Sequence, residues 1–104
     1  MLQTIKNILG LRPAADLKDL WKHGAQIIDV RSPGEFQSGH IKGSLNIPLD
    51  ILGNSLSKIK KDRPVITCCA SGIRSASAES LLKSKGLSEV FNGGGWMSLR
   101  NKIS

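Results

Sequence analysis

Two short runs, Gln26-Ile27-Ile28-Asp29-Val30 and Pro64-Val65-Ile66-Thr67-Cys68, constrain this chain more than any other feature. Both are apolar and β-branched, without polar alternation, which is the pattern of strands covered on both faces. The second run passes through Ala70-Ser71-Gly72 into a stretch from about Ser75 to Lys85, where Ala78, Leu81 and Leu82 share one helical face. That helix has a marked end: Gly86 stands at C′ and Leu87 is placed to touch Leu82, the Schellman arrangement. Leu17, Leu20 and Trp21 lie at i, i+3 and i+4 between Pro13 and Gly24, and predict a short helix before the first strand. Strands and helices in alternation predict an α/β layered fold around a mainly parallel sheet.

The connecting stretches are less regular. Ser32-Pro33-Gly34 breaks the first strand, and a polar segment follows through Gly39 and Gly43. Leu45-Asn46-Ile47-Pro48 reads as a brief strand ended by its proline, and Leu52, Leu56 and Ile59 as a loose helical face. Val90-Phe91-Asn92 reads as another strand, Gly93-Gly94-Gly95 as a loop, and Trp96 to Ile103 as a final helical turn or two packed by Trp96 and Leu99. With 104 residues, 39% of them hydrophobic, the chain is expected to fold as one domain with enough apolar residues for one packed core. That domain is expected over residues 13–104. Residues 1–12 are expected to be an N-terminal extension, a short helix or tether with Ile5, Ile8 and Leu9 at helical spacing.

The formal net charge is +7, which favours anions in general. Nucleic acid is a poor fit, because the basic residues are scattered. Only Lys58, Lys60, Lys61 and Arg63 cluster, without aromatic interleaving, and a solvated basic face explains them. No apolar stretch approaches the ~20 residues of a membrane span. The interrupted apolar character of the start, with Lys6 and Asn7 inside it, does not make a signal peptide, so a cytoplasmic location is expected. The two cysteines, Cys68 and Cys69, are neighbours and make no disulfide framework. A reducing compartment and a reactive thiol suit them better.

In an open parallel sheet, ligands bind beyond the carboxyl ends of the strands. Cys69-Ala70-Ser71-Gly72-Ile73-Arg74 occupies such a place. A thiol near a helix start and a guanidinium is favoured as thiolate. Gly72 permits a tight turn in which successive amides converge, and Arg74 offers a planar donor fork for an oxyanion. These residues specify an anion-binding reactive cysteine, with sulfur transfer and phosphate transfer both open.

Three motifs add a resemblance. Asp29-Val30-Arg31-Ser32-Pro33-Gly34-Glu35-Phe36, followed by Gly39-His40-Ile41-Lys42-Gly43-Ser44 and Asn46-Ile47-Pro48, resembles the upstream signature of rhodanese-like domains. Cys69-x-x-Gly72-x-Arg74-Ser75 resembles their active-site loop, and Asn92 to Trp96 their closing motif. The resemblance runs from about Leu17 to Leu99. It implies a three-layer rhodanese-like fold, a parallel central sheet with helices on both faces. It also implies a sulfurtransferase in which Cys69 is the catalytic nucleophile and carries sulfur as a persulfide. Ala70, Ser71, Gly72 and Ile73 match the loop that cradles the terminal sulfur, and Arg74 the position that holds a departing sulfite-like group. Asp29 and Arg31, with Ser75, match supports of the loop. The donor would be a small sulfur-containing anion such as thiosulfate, or a persulfide. The acceptor would be a thiophile or a protein, with no cofactor and no metal. Ala70 stands where many thiosulfate-using members carry a second basic residue, which points toward a persulfide or partner protein as the source.

Two rival functions are weighed against this one. Counted from Cys68, the chain spells Cys-x5-Arg ending at Arg74, the loop of a phosphatase or arsenate reductase. Gly72 falls three residues after Cys69, however, and Cys68 reads as strand. The other rival is a rhodanese-like binding module without turnover, against which stands the retained cysteine. His40 is expected in a turn contact and His23 as a helix C-terminal partner, neither as a catalyst or ligand. Trp21 and Trp96 are expected in the core, and no nucleotide-type glycine loop occurs. A strained Cys68–Cys69 disulfide that resolves an oxidised Cys69 is the remaining possibility.

Overall fold

The computed structural model describes residues 16–104; the expected N-terminal extension lies outside the described residues. Helix α1 (Leu17–Lys22) starts at Asp16, whose carboxylate accepts the Asp19 amide, and leads into β1 (Gln26–Asp29). Then come α2 (Pro33–Ser38), β2 (Leu45–Asn46), α3 (Leu49–Leu52), a 3₁₀ turn (Leu56–Lys58) and β3 (Val65–Cys69). Helix α4 (Ile73–Ser84), β4 (Val90–Gly95) and α5 (Trp96–Ile103) complete the chain. The sheet is parallel throughout, in the order β2-β1-β3-β4.

Each inner strand feeds two cores because successive side chains face opposite ways. Ile28, Val30, Val65 and Cys69 point to one side, where Leu52 and the α4 residues Ala78 and Leu82 cover them. Ile27, Ile66 and Cys68 point to the other, under Leu17 of α1 and Leu99 of α5. All five residues of β3 are buried, so the uninterrupted apolar run follows from a strand sandwiched between helix layers. The Schellman end of α4 is present: Leu87 donates to Leu82 O at 3.1 Å and Gly86 to Lys83 O at 3.1 Å.

Three segments differ from the sequence expectation. Ser32-Pro33-Gly34 starts a helix rather than only breaking a strand: Ser32 is the N-cap, Pro33 opens the helix, and Glu35 completes a capping box. Leu52, Leu56 and Ile59 lie on α3 and a separate 3₁₀ turn, not on one helix. Gly93-Gly94-Gly95 belongs to β4, not to a loop, and the ladder shifts register between Thr67 and Cys69 to accommodate it. Its glycines are there for close approach. A Cβ on Gly93 would lie 2.7 Å from the Thr67 carbonyl oxygen and 2.8 Å from Ile66 Cγ2, and one on Gly95 would lie 2.9 Å from the Ala70 carbonyl oxygen.

The sheet order creates the site. From β1 the chain moves outward to β2, then crosses back to β3 on the other side of β1. The carboxyl ends of β1 and β3 therefore flank a switch point, the place where open α/β sheets bind ligands. Cys69 is the last residue of β3, at that edge.

Candidate active site

Strand β3 carries Cys69 one residue further than the sequence reading placed its end, so the thiol is anchored in the sheet and only 1% exposed. The chain then turns through Ala70, Ser71 and Gly72 and enters α4 at Ile73, two residues before the expected Ser75. Gly72 is the helix N-cap with φ +106°, a left-handed conformation that a Cβ would strain. This turn folds the start of α4 back over the sulfur. The Gly72 amide donates to Cys69 Sγ at 3.0 Å and the Ser75 amide at 3.3 Å. The Ser75 hydroxyl lies 3.5 Å from the same sulfur.

Burial alone would raise the Cys69 pKa. The Ser75 hydroxyl and the amides of Ser75, Gly72 and Ser71 together outweigh it, and the thiol sits below its ordinary value. Cys68 is the opposite case. It faces the other core, is fully buried, and its pKa is pushed up to about 12, first by burial and then by the nearby Asp29 carboxylate. Neighbouring residues on a strand point to opposite faces, so Cys68 can neither head a Cys-x5-Arg loop nor bridge to Cys69. Both alternatives built on Cys68 are thereby corrected.

Ser75 is fully buried, and its single hydroxyl proton has three acceptors in reach. Asn92 Oδ1 is 2.6 Å away, the Gly72 carbonyl 3.0 Å, and Cys69 Sγ 3.5 Å. Asn92, from β4, also accepts the Gly94 amide at 2.9 Å. The closing motif thus touches the nucleophile's loop through Ser75. Sequence reasoning gave Asn92 no individual role; an asparagine ahead of a glycine run was the only signal.

The remaining expected residues divide. Ala70 and Ser71 are exposed on the loop, and Ile73 is exposed at the start of α4. The Gly72 amide is engaged by Sγ itself. Asp29 and Arg31 form a buried bidentate pair, with Nη2 to Oδ2 at 2.7 Å and Nε to Oδ1 at 2.9 Å. Arg31 then donates to the carbonyls of Glu35 (3.2 Å) and Gly39 (2.7 Å) and packs its guanidinium over Trp96. This pair therefore braces α2 and the turn after it, and reaches the cysteine loop through Glu35, the partner of Arg74. Arg74 is not a free fork. It makes a bidentate pair with Glu35, Nη1 to Oε1 at 2.8 Å and Nη2 to Oε2 at 2.9 Å. The Arg74 guanidinium first, and the Ser32 amide next, hold the Glu35 carboxyl down to about 2.

The two histidines stand apart from this chemistry. His40 is exposed, stacks on Phe36 and bonds the Phe36 carbonyl; His23 bonds the Asp19 carbonyl at the end of α1. No cluster of metal-ligating side chains occurs among the described residues, and no described helix is long and apolar enough to cross a membrane.

A family model, the Rhodanese-like domain, matches residues 13–102. The chain belongs to the rhodanese-like family. Among relatives of this rhodanese-like chain, the uncharacterized protein YqhL of Bacillus subtilis is 42% identical over 76% of the chain and 64% of its own length. The thiosulfate sulfurtransferase GlpE of Stutzerimonas stutzeri is 38% identical over 66% of the chain and 63% of its length. The rhodanese-like chain thus spans slightly less than two thirds of each. The solved human single-domain sulfurtransferase TSTD1 superposes with a TM-score of 0.70 at 28% identity, covering 86% of this chain and 93% of that one.

Proposed function

We propose that this rhodanese-like domain is a sulfurtransferase that moves a sulfane sulfur through a persulfide on Cys69. The observation that carries the proposal is the convergence of the Gly72 and Ser75 amides and the Ser75 hydroxyl on Cys69 Sγ. Two relatives' names point the same way, since GlpE and TSTD1 are called sulfurtransferases.

The chemistry is a pair of displacements at sulfur. The Cys69 thiolate attacks the outer sulfur of a donor, a new S–S bond forms, and the donor's own bond to that sulfur breaks. With thiosulfate the leaving group is sulfite, which departs with the bonding pair; with an organic persulfide it is a thiolate. The outer sulfur of the Cys69 persulfide carries the negative charge, close to the amides at the head of α4, where anions are favoured. A thiophile, such as cyanide, a small thiolate or a protein thiolate, then attacks that outer sulfur, and Cys69 leaves as thiolate. No proton or electron is required from elsewhere. The same hydrogen bonds that stabilise the attacking thiolate stabilise it again as leaving group.

The test is thiocyanate formation from a sulfane-sulfur donor and cyanide, with a phosphate ester assayed alongside. Wild type is expected to form thiocyanate, and Cys69→Ser none. Phosphate-ester hydrolysis without thiocyanate would contradict the proposal. Failure with every donor would leave a binding module instead.

A further inference from the structure

The cation beside the candidate site is already paired. We propose that Glu35 sets donor choice. By holding Arg74 it disfavours dianionic thiosulfate and favours sulfane-sulfur donors of lower charge with an apolar body. This inference rests on the sulfur-transfer reading and names the donor class of that site.

The pairing is built in, not incidental. Both carboxylate oxygens of Glu35 meet the two terminal nitrogens of Arg74, at 2.8 and 2.9 Å. Bidentate pairs of this kind are the stronger class of ion pair. Glu35 is itself fixed from two further directions. Its Oε1 accepts from the Ser32 amide and hydroxyl at the start of α2, at 3.1 and 3.0 Å. Its backbone carbonyl accepts from Arg31, which is locked to buried Asp29. An incoming oxyanion must therefore displace a carboxylate that the fold holds in place.

The surroundings add to this bias. A cleft of about 590 Å³ opens beside Arg74 at the carboxyl ends of β1 and β2. Val30, Pro33, Pro48, Leu49 and Ile51 give it an apolar lining. Among the described residues Arg74 is the single cation on its wall, Asp50 is an anion on the same wall, and Glu35 neutralises Arg74 from the side. Ala70 adds no charge next to the nucleophile. A leaving group that enters this cleft meets no unpaired cation among its described lining residues, a lack that counts more against a doubly charged group than a singly charged one. An alkyl body gains by covering the apolar wall.

Two donors separate charge from reactivity. Thiosulfate and an alkanethiosulfonate both lose their outer sulfur by cleavage of one S–S bond. The first releases sulfite, a dianion, and the second releases a sulfinate monoanion. The quantity measured is the ratio of their kcat/KM values for thiocyanate formation with cyanide. Wild type is expected to favour the thiosulfonate. Glu35→Gln keeps an oxygen for the Ser32 cap but turns an NH₂ toward Arg74, which frees the guanidinium. The thiosulfate-to-thiosulfonate ratio is expected to rise about five- to tenfold, mainly through a lower KM for thiosulfate. Arg74→Gln added to this variant is expected to abolish the gain.

General damage to the site would lower both donors together and leave the ratio where it was. If Glu35→Gln fails to fold, Glu35→Asp serves, because its shorter side chain withdraws the carboxylate from Arg74. An unchanged ratio in a folded variant overturns the assignment while the sulfur-transfer reading stands. Absence of thiocyanate from both donors in wild type overturns the donor assignment, and absence from a persulfide donor as well overturns the sulfur-transfer reading.

Discussion

Ser75→Ala removes the hydroxyl beside the nucleophile, which also reaches Asn92 Oδ1 and the Gly72 carbonyl. The substitution removes the hydroxyl 3.5 Å from Cys69 Sγ and leaves the Ser75 and Gly72 amides in place. It leaves no acceptor stranded. Asn92 Oδ1 keeps the Gly94 amide at 2.9 Å, and the Gly72 carbonyl keeps the Ala76 amide at 3.0 Å. Thr67 bonds the Ser75 carbonyl, which the variant retains. The fold should therefore lose no more than about 1 kcal/mol, the net worth of an ordinary hydrogen bond.

The thiolate loses more selectively. A hydrogen bond to a charged group contributes about 1.5–3 kcal/mol, and sulfur is a weak acceptor, so the Ser75 share is roughly 1 kcal/mol. That corresponds to about a fivefold lower thiolate-to-thiol ratio at any pH below the transition. The sign follows from which form is stabilised: the bond favours the charged sulfur, so its removal raises the Cys69 pKa. The assay is the pH dependence of iodoacetamide alkylation, read by intact mass on folded protein. The alkylation midpoint should move upward and the rate at neutral pH fall about fivefold, with only a small change in melting temperature. An unmoved midpoint in a folded Ser75→Ala protein would refute the role given to this hydroxyl.

Cys68 should resist alkylation in folded protein at neutral pH, since its thiol is buried and raised to about 12. Its unfolded counterpart ionises near 9.0, so unfolding is favoured progressively as pH rises from 9.0 toward about 12; melting of Cys68→Ala should show a shallower alkaline decline. Glu35 behaves in the other direction. Its carboxyl is held to about 2 against an ordinary 4.5, so its stabilisation is present above 4.5 and lost as pH falls through about 2. Glu35→Gln should flatten that part of an acid melting series. Gly93→Ala should cost roughly 2–3 kcal/mol in chemical denaturation, because a Cβ there meets the Thr67 backbone oxygen at 2.7 Å, which cannot move aside.

How far the sequence foretells this molecule depends on whether a signal is local. The strands β1 and β3 are legible because burial on both faces demands continuous β-branched residues. The end of α4 is legible because Gly86 and Leu87 satisfy its last carbonyls within the same few residues. Helix α2 is missed when Pro33 and Gly34 are weighed as breakers, although Ser32 and Glu35 at capping-box spacing mark its start. The glycines of β4 mislead for a different reason. Their smallness answers to Thr67 on β3 and Ala70 in the turn after it, and nothing near them in sequence says so. Among site residues, Cys69 and its turn follow from position at a strand end. The pairing of Arg74 does not, because its partner Glu35 lies 39 residues earlier and only the folded sheet brings the two together. Asn92 reaches Ser75 across a shorter gap of 17 residues, again closed only by the fold.

The most direct measurement is intact mass of wild type and Cys69→Ser after incubation with sulfane-sulfur donors, before and after cyanide. Wild type should gain one sulfur atom and lose it to cyanide, while Cys69→Ser gains none. A gain that persists in Cys69→Ser, or no gain in wild type with any donor, would contradict a persulfide at this thiol.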